Sequence, residues 1–79
     1  MDQLTRQTKM NRDPVGSSNL VSIGYDEQAE TLEIEFSNGS IYQYYNVPQD
    51  VYQQLMSAPS KGQFLHVYIK NAYPFSRVG

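Results

Sequence analysis

Alternation of apolar and polar side chains over a short central tract is the feature that most constrains this fold. The alternating residues are, in order, Thr31, Leu32, Glu33, Ile34, Glu35 and Phe36. A period of two places successive side chains on opposite faces of a β-strand, so one face is buried and the other faces water. The pair Asn38-Gly39 follows, a strong hairpin signal because both residues tolerate positive φ. The sequence therefore predicts a β-hairpin that returns over residues 41–45.

Two registers are open for this hairpin, and they place the tyrosines of the return strand on different faces. A two-residue loop leaves Tyr42 and Tyr44 on the face away from the core. The acidic residues Glu33 and Glu35 share that face. A three-residue loop with a glycine bulge moves both tyrosines to the core side. We predict the two-residue loop, because the alternative exposes apolar side chains at both ends of the return strand.

An earlier strand and a polar leader precede the hairpin. Residues 20–25 alternate with Val21, Ile23 and Tyr25 on one side, which is typical of a strand. Residues 1–14 are mostly polar and end at Asp13-Pro14, so we expect a flexible leader there. A chain of 79 residues makes one small domain at most. We expect residues 15–79 to form it.

Two short helices are predicted after the sheet. Pro48 suits a first helical turn, and apolar residues at positions 51, 52, 55 and 56 indicate an amphipathic helix that Pro59 ends. Ser60 and Gln63 have the spacing of a capping box for a second helix, which stops before Tyr73. Its predicted apolar stripe consists of Phe64, Leu65, Tyr68, Ile69 and Ala72. We therefore predict an α+β domain, a three-stranded antiparallel meander followed by two short helices packed on one face of the sheet.

The composition argues against several kinds of chemistry. There is no Cys, and the single His, His66, is expected on the wet face of the second helix. A catalytic base needs an orienting partner and a substrate cleft, and the sequence indicates neither. No metal or cofactor motif is present, so we expect no enzyme, no cofactor and no metal site. The chain has neither an apolar run of ~18 residues nor a secretory signal, so we expect a cytoplasmic protein without a membrane partner.

Charge is distributed unevenly around a formal net charge of −2. Six acids and no Lys or Arg lie between Asp26 and Asp50, whereas all six basic residues lie toward the two ends. The net charge argues against a strongly basic nucleic-acid clamp, and three cations at each end fall short of a basic run. Ordinary solvated surface charge explains this pattern, but the two ends can also share a basic surface.

In order and spacing these pieces resemble the KTSC domain. This small module is named for its occurrence at the C-terminus of some lysyl-tRNA synthetases, and it is also found alone in small bacterial proteins. The resemblance covers about residues 18–78 and lies in Ile23-Gly24-Tyr25-Asp26, Leu32-x-Ile34-x-Phe36, Asn38-Gly39, Tyr42-Gln43-Tyr44, Val47-Pro48, Val51-Tyr52, Leu55, Ser60-Lys61-Gly62, Phe64, Ile69 and Tyr73. It implies a three-stranded sheet with two helices, no assigned chemistry and a role in RNA binding.

Two functions follow as hypotheses. The first is a small non-enzymatic module that binds RNA, such as tRNA, assisted by the basic leader and using Lys61, Gly62, His66, Lys70, Tyr73 and Arg77. Amides at a helix N-terminus favour anions, so a phosphate could dock beside Lys61 and Gly62, although a plain capping box explains this motif without a ligand. The alternative is a protein-protein interaction module that uses Glu33, Glu35, Tyr42 and Tyr44. The sequence leaves the identity of the partner and the oligomeric state open.

Overall fold

A computed structural model describes residues 10–16 and 19–79. Its five antiparallel strands lie side by side in chain order: β1 (Asp13–Pro14), β2 (Leu20–Asp26), β3 (Thr31–Phe36), β4 (Ile41–Tyr44) and β5 (Phe75–Arg77). The helical part comprises α1 (Gln49–Ser57) and α2 (Lys61–Phe64), which continues into a π-helical turn over Leu65–Ile69. No helix in this described part of the chain is long and apolar enough to cross a membrane.

The predicted α+β class is confirmed, but the sheet is larger than the predicted three-stranded meander. The two additional strands lie at its edges, β1 against β2 and β5 against β4. They contain two and three residues, too few to show the alternation by which a strand is recognised. β1 also lies in the predicted leader, of which residues 1–9 fall outside the described residues.

The β3–β4 hairpin has the three-residue loop, so the predicted two-residue register is wrong. Tyr42 pairs with Ile34, which places the alternating tyrosines of β4 on the core side. Gly39 adopts a φ of +92°, a left-handed conformation that suits glycine. Asn38 Oδ1 accepts hydrogen bonds from the amide and the hydroxyl of Ser40, at 3.0 and 2.7 Å. Burial favours this register, because it turns two large aromatic side chains toward the helices.

The core lies between one face of the sheet and the helices. Its buried side chains are Leu20, Ile23, Leu32, Ile34, Tyr44, Val47, Leu55, Leu65 and Ile69. As predicted, α1 ends before Pro59, and the preceding Ala58 is extended, with ψ of 141°. β2 departs from the predicted alternation at a bulge, which leaves Val21 exposed and gives its core position to Leu20.

The second helix begins with the predicted cap and then changes its geometry. Ser60 Oγ accepts a hydrogen bond from the Gln63 amide at 3.3 Å. Further along, the Lys70 amide donates to the carbonyl of Leu65, five residues back, at 2.8 Å. The wider turn breaks the predicted apolar stripe, so that Leu65 is buried whereas Tyr68 is 61% exposed.

Residues 10–14 are here called the N-terminal strap: residues 10–12 cover the face of the sheet away from the helices, and the last two residues form β1 at its edge. Gly24 lies beneath the strap, where an added Cβ would be 2.5 Å from the Asn11 carbonyl oxygen. Arg12 lies over Glu33, with Nε 3.4 Å from Oε2, and Gln43 Nε2 donates to Glu33 Oε1 at 2.8 Å. We expected Glu33 to face water, but the strap buries it completely and supplies its counter-charge.

We predict that Arg12→Met destabilises the domain by about 3–5 kcal/mol, because it leaves the buried Glu33 carboxylate unpaired. The double variant Arg12→Met/Glu33→Gln should recover most of this loss, since the buried charge is then absent. Urea unfolding measures both changes. Arg77→Met is the matched control, because it removes an exposed cation and should change stability by less than about 0.5 kcal/mol. Equal stability of Arg12→Met and the unmodified chain would contradict the assignment.

Candidate nucleic-acid interface

A cleft of about 270 Å³ opens on the helix side of the sheet, close to the β3–β4 loop. We call it the aromatic cleft, and it is lined by Phe36, Asn38, Ser40, Tyr42, Tyr44, Lys70 and Phe75. Strand pairing assembles it, because Phe75 of β5 lies directly opposite Tyr44 of β4 and therefore on the same face. The lining combines aromatic rings with one cation and two small polar side chains.

The rings of the cleft form a connected cluster. Phe36 meets Tyr42 edge to face, with ring centroids 5.6 Å apart and planes at 86°. Phe75 lies 5.8 Å from Tyr42 and 5.7 Å from Tyr44, distances typical of favourable aromatic pairs. Tyr44 is only 2% exposed, whereas Phe75 is 54% exposed. Tyr44 therefore forms the buried floor of the cleft, and Phe75 forms a wall that faces solvent.

Burial also changes the acidity of the floor. Desolvation raises the pKa of Tyr44, and the neighbouring Tyr42 raises it further because two phenolates in proximity repel each other. Both effects keep the Tyr44 phenol protonated through the neutral range. The floor of the aromatic cleft is therefore uncharged.

Two cations stand beside this uncharged floor. Lys70 follows the π-helical turn and lines the cleft directly. Arg77 pairs with Tyr42 across β4 and β5, so its side chain leaves the sheet on the cleft side. Arg77 Nε donates to the Gly79 carbonyl at 2.9 Å, and the residue is exposed. Within the described residues, no Asp or Glu side chain lies within 4.0 Å of either cation.

Four acidic residues lie near the opposite end of the strands. Burial, and then the charges of acidic neighbours, raise the pKa of Tyr25 near the β2–β3 turn; these neighbours are Glu30, Glu27, Asp26 and Asp50. β3 runs from this turn to the cleft end, a distance of about 17 Å at 3.3–3.4 Å per residue. At physiological salt, interactions between exposed charges are largely screened beyond about 8 Å. These acids therefore weaken the positive potential at the cleft only slightly.

The structure brings together some of the residues predicted to bind RNA and separates others. Lys70 lines the aromatic cleft, and His66 and Gly62 line a smaller pocket beside it. Gly62 faces the Asn19 side chain, 3.4 Å from where its Cβ would lie, an ordinary van der Waals distance, so packing there does not require a glycine. Lys61 lies outside the lining of both cavities, and Tyr73 packs against the core.

The residues predicted for the protein-binding alternative lie on different faces. Tyr42 and Tyr44 lie on the helix side, whereas Glu33 is buried beneath the strap. Glu35 is also on the strap side, where Oε1 accepts a hydrogen bond from Ser22 at 2.9 Å. Since a one-residue shift exchanges faces, the corrected register separates the tyrosines from the acids.

Sequence reasoning missed four residues of the cleft: Phe36, Asn38, Ser40 and Phe75. Phe36 was assigned to the core and Asn38 to the hairpin turn. The correct hairpin register would have predicted Phe36 and Asn38, since the three-residue loop places Tyr42 beside Phe36 near that loop. Phe75 gave no signal, because β5 becomes a strand only by pairing with β4. Among residues 10–16 and 19–79, no three His, Cys, Asp or Glu side chains are grouped to hold a metal ion.

The fold and the cleft define a small α+β domain that presents an aromatic surface beside two cations. A family model for the KTSC domain matches residues 16–73. The chain therefore belongs to the KTSC domain family. A crystal structure of a KTSC domain protein from Yersinia pestis superposes with a TM-score of 0.83 and 45% sequence identity, covering 89% of this chain and 99% of that one.

Relatives of two sizes share this domain. A protein of Stutzerimonas stutzeri is 41% identical over 70 residues, which cover 87% of this chain and 99% of the relative. A lysine–tRNA ligase of Nostoc punctiforme is 40% identical over 65 residues, which cover 82% of this chain. The chain spans only 11% of the length of that ligase. A similar segment thus occurs both as nearly a whole protein and as a small part of a much larger one.

We predict that Tyr42→Phe lowers the pKa of Tyr44 toward the ordinary value of about 10, because the variant removes a phenolate that opposes ionisation. Burial should still hold the pKa above that value. The Tyr44 ring carbon shift, followed by NMR across alkaline pH, measures the change. Tyr45→Phe is the control, because Tyr45 contacts Gln43 on the other face. An unchanged Tyr44 pKa in Tyr42→Phe would contradict the ring arrangement.

The same pKa sets the sign of the alkaline stability change. A raised pKa in the folded state means that the folded protein holds the Tyr44 proton more tightly than the unfolded chain does. The resulting stability is complete below about pH 10 and declines as pH rises through the folded pKa. Circular dichroism at each pH of the titration follows this decline.

Proposed function

We propose that this domain is a non-enzymatic module that binds RNA through the aromatic cleft and the two cations beside it, Lys70 and Arg77. The observation that carries the proposal is the position of these two cations beside the aromatic rings of the cleft. Cations bind phosphates, and exposed rings such as Phe75 stack on bases. RNA offers both groups in one ligand. The proposal assigns no catalytic step to His66, the single histidine of the chain.

Separation of charge supports this choice despite the net charge of −2. The cleft lies on the face opposite Glu33 and Glu35, and the β2–β3 acids lie at the far end of the strands. A phosphate beside Lys70 therefore meets little repulsion. Arg12 contributes nothing to this surface, since it is paired with Glu33 under the strap.

The relatives add a second line of support. Proteins named lysine–tRNA ligase contain a segment 40–43% identical to this chain. By their name, these relatives act on tRNA. This shared segment supports tRNA as the first ligand to test.

We predict that Lys70→Ala and Arg77→Ala each weaken tRNA binding. Each should also reduce the slope of log K against log salt by about 0.7–0.9, the contribution of one phosphate contact. Fluorescence anisotropy at several salt concentrations measures both effects. An amide-shift titration with tRNA should place the largest changes around Phe75 and the β3–β4 loop.

Lys61→Ala is the matched control, because Lys61 is the first residue of the same helical segment but lies outside the lining of both cavities. It should leave the salt slope unchanged. Circular dichroism establishes that each variant is folded. Absence of binding to tRNA or to single strands at low salt overturns the proposal, and equal losses in Lys61→Ala and Lys70→Ala would remove the cleft as the site.

A second candidate function, binding of a protein, is favoured by a different surface. Val67 and Tyr68 are 56% and 61% exposed, and they border a depression of about 340 Å³ beside Phe64. Exposed aromatic and aliphatic groups of this kind are enriched at interfaces. Self-association through this surface predicts that Val67→Ser/Tyr68→Ser lowers the concentration-dependent mass in sedimentation experiments. A mass that stays monomeric at every concentration before mutation excludes self-association.

A further inference from the structure

The aromatic cleft adjoins a second, smaller pocket of about 100 Å³. Phe36 and Lys70 line both cavities, so the two form one depression with two ends. The smaller end adds His66 and Asn19 to its lining. One ligand can therefore place an apolar group in the aromatic cleft and a polar or anionic group at the smaller pocket.

The shape of the larger end suits insertion of a planar ring. Tyr44 forms its buried floor, and Phe75 stands 5.7 Å away as an exposed wall with planes tilted by 38°. A base within a duplex has both faces covered by its stacked neighbours and offers only its edges to a groove. Only an unpaired base can lay a face against the Phe75 ring.

The polar groups of the depression fit the rest of a nucleotide. Asn38 Oδ1 is engaged by the amide and the hydroxyl of Ser40, which leaves the Asn38 amide nitrogen as the donor for the edge of a base. His66 and Lys70 are exposed and border the smaller pocket, where they can flank a phosphate. The π-helical turn contributes here, because the Lys70 amide donates to the Leu65 carbonyl and both residues line the smaller pocket.

We propose, building on the proposed RNA-binding function, that the ligand of this depression is an unpaired nucleotide within a single strand. Its base stacks on Phe75 in the aromatic cleft, and the adjoining phosphate lies between His66 and Lys70. The domain therefore selects single-stranded segments over duplexes and reads the presence of a free base rather than backbone charge alone.

The test compares three RNA ligands of equal length at one salt concentration. They are a labelled single strand of mixed sequence of about eight nucleotides, within the range of site sizes for such proteins, the same strand in a duplex, and an abasic strand. Fluorescence anisotropy with the full chain should give an affinity for the single strand roughly tenfold or more above that for either of the others.

Variants of the wall test the stacking contact. Phe75→Ala should lower single-strand affinity roughly fivefold or more and leave the weak affinity for the abasic strand unchanged. Phe75→Tyr keeps a ring and should restore single-strand binding, which separates stacking from a folding defect. Tyr68→Ala is the matched control, since Tyr68 is similarly exposed but lies outside both cavities.

The outcomes separate this inference from the proposed function. Binding of the duplex or the abasic strand as tight as that of the single strand overturns the inference while RNA binding stands. Equal single-strand affinity for Phe75→Ala and the unmodified chain also overturns it. Absence of binding to every RNA at low salt overturns the proposed function, and the inference with it.

Discussion

The pairing of Tyr42 with Ile34 decides what each face of the sheet can do. Because side chains alternate along a strand, a shift of one residue would exchange every β4 side chain between the two faces. In the observed register Tyr42 and Tyr44 meet Phe75 on the helix side, while Gln43 reaches Glu33 on the strap side. The aromatic cleft and the buried polar network are therefore two consequences of one three-residue loop.

The strap face shows how a small domain manages a buried charge. Removing a carboxylate from water costs several kcal/mol, a large part of the about 4–12 kcal/mol expected for a chain of this length. Gln43 of β4 and Arg12 both offset that cost for Glu33, but Arg12 supplies its counter-charge only while the strap stays in place. The strap is thus coupled to the fold, and its cation serves stability rather than ligand binding. Gly24 permits this arrangement, because any side chain there would displace the strap.

The sequence predicts those strands and helices in which the spacing of apolar residues repeats over enough positions to be recognised. Alternation around Ile34 and the apolar spacing around Leu55 correctly predict the central strands and α1. β1 and β5 have no such pattern, since they are strands only through their pairing with β2 and β4. For the site, Lys70 and Arg77 could be predicted as exposed cations near the end of the chain. Their association with Phe75 could not, because it depends on the hairpin register and on a strand that exists only through pairing.

Local rather than net charge governs what the cleft can hold. Two cations release few counterions, so phosphate contacts by themselves give only weak, salt-sensitive binding. Stacking supplies affinity that depends less on salt, and each stacked base contributes about 1–3 kcal/mol. Because Lys70 and Phe75 line the same cleft, one nucleotide can satisfy both contributions together. An acidic domain can therefore hold a polyanion at one point of its surface, provided that the strand there offers a free base.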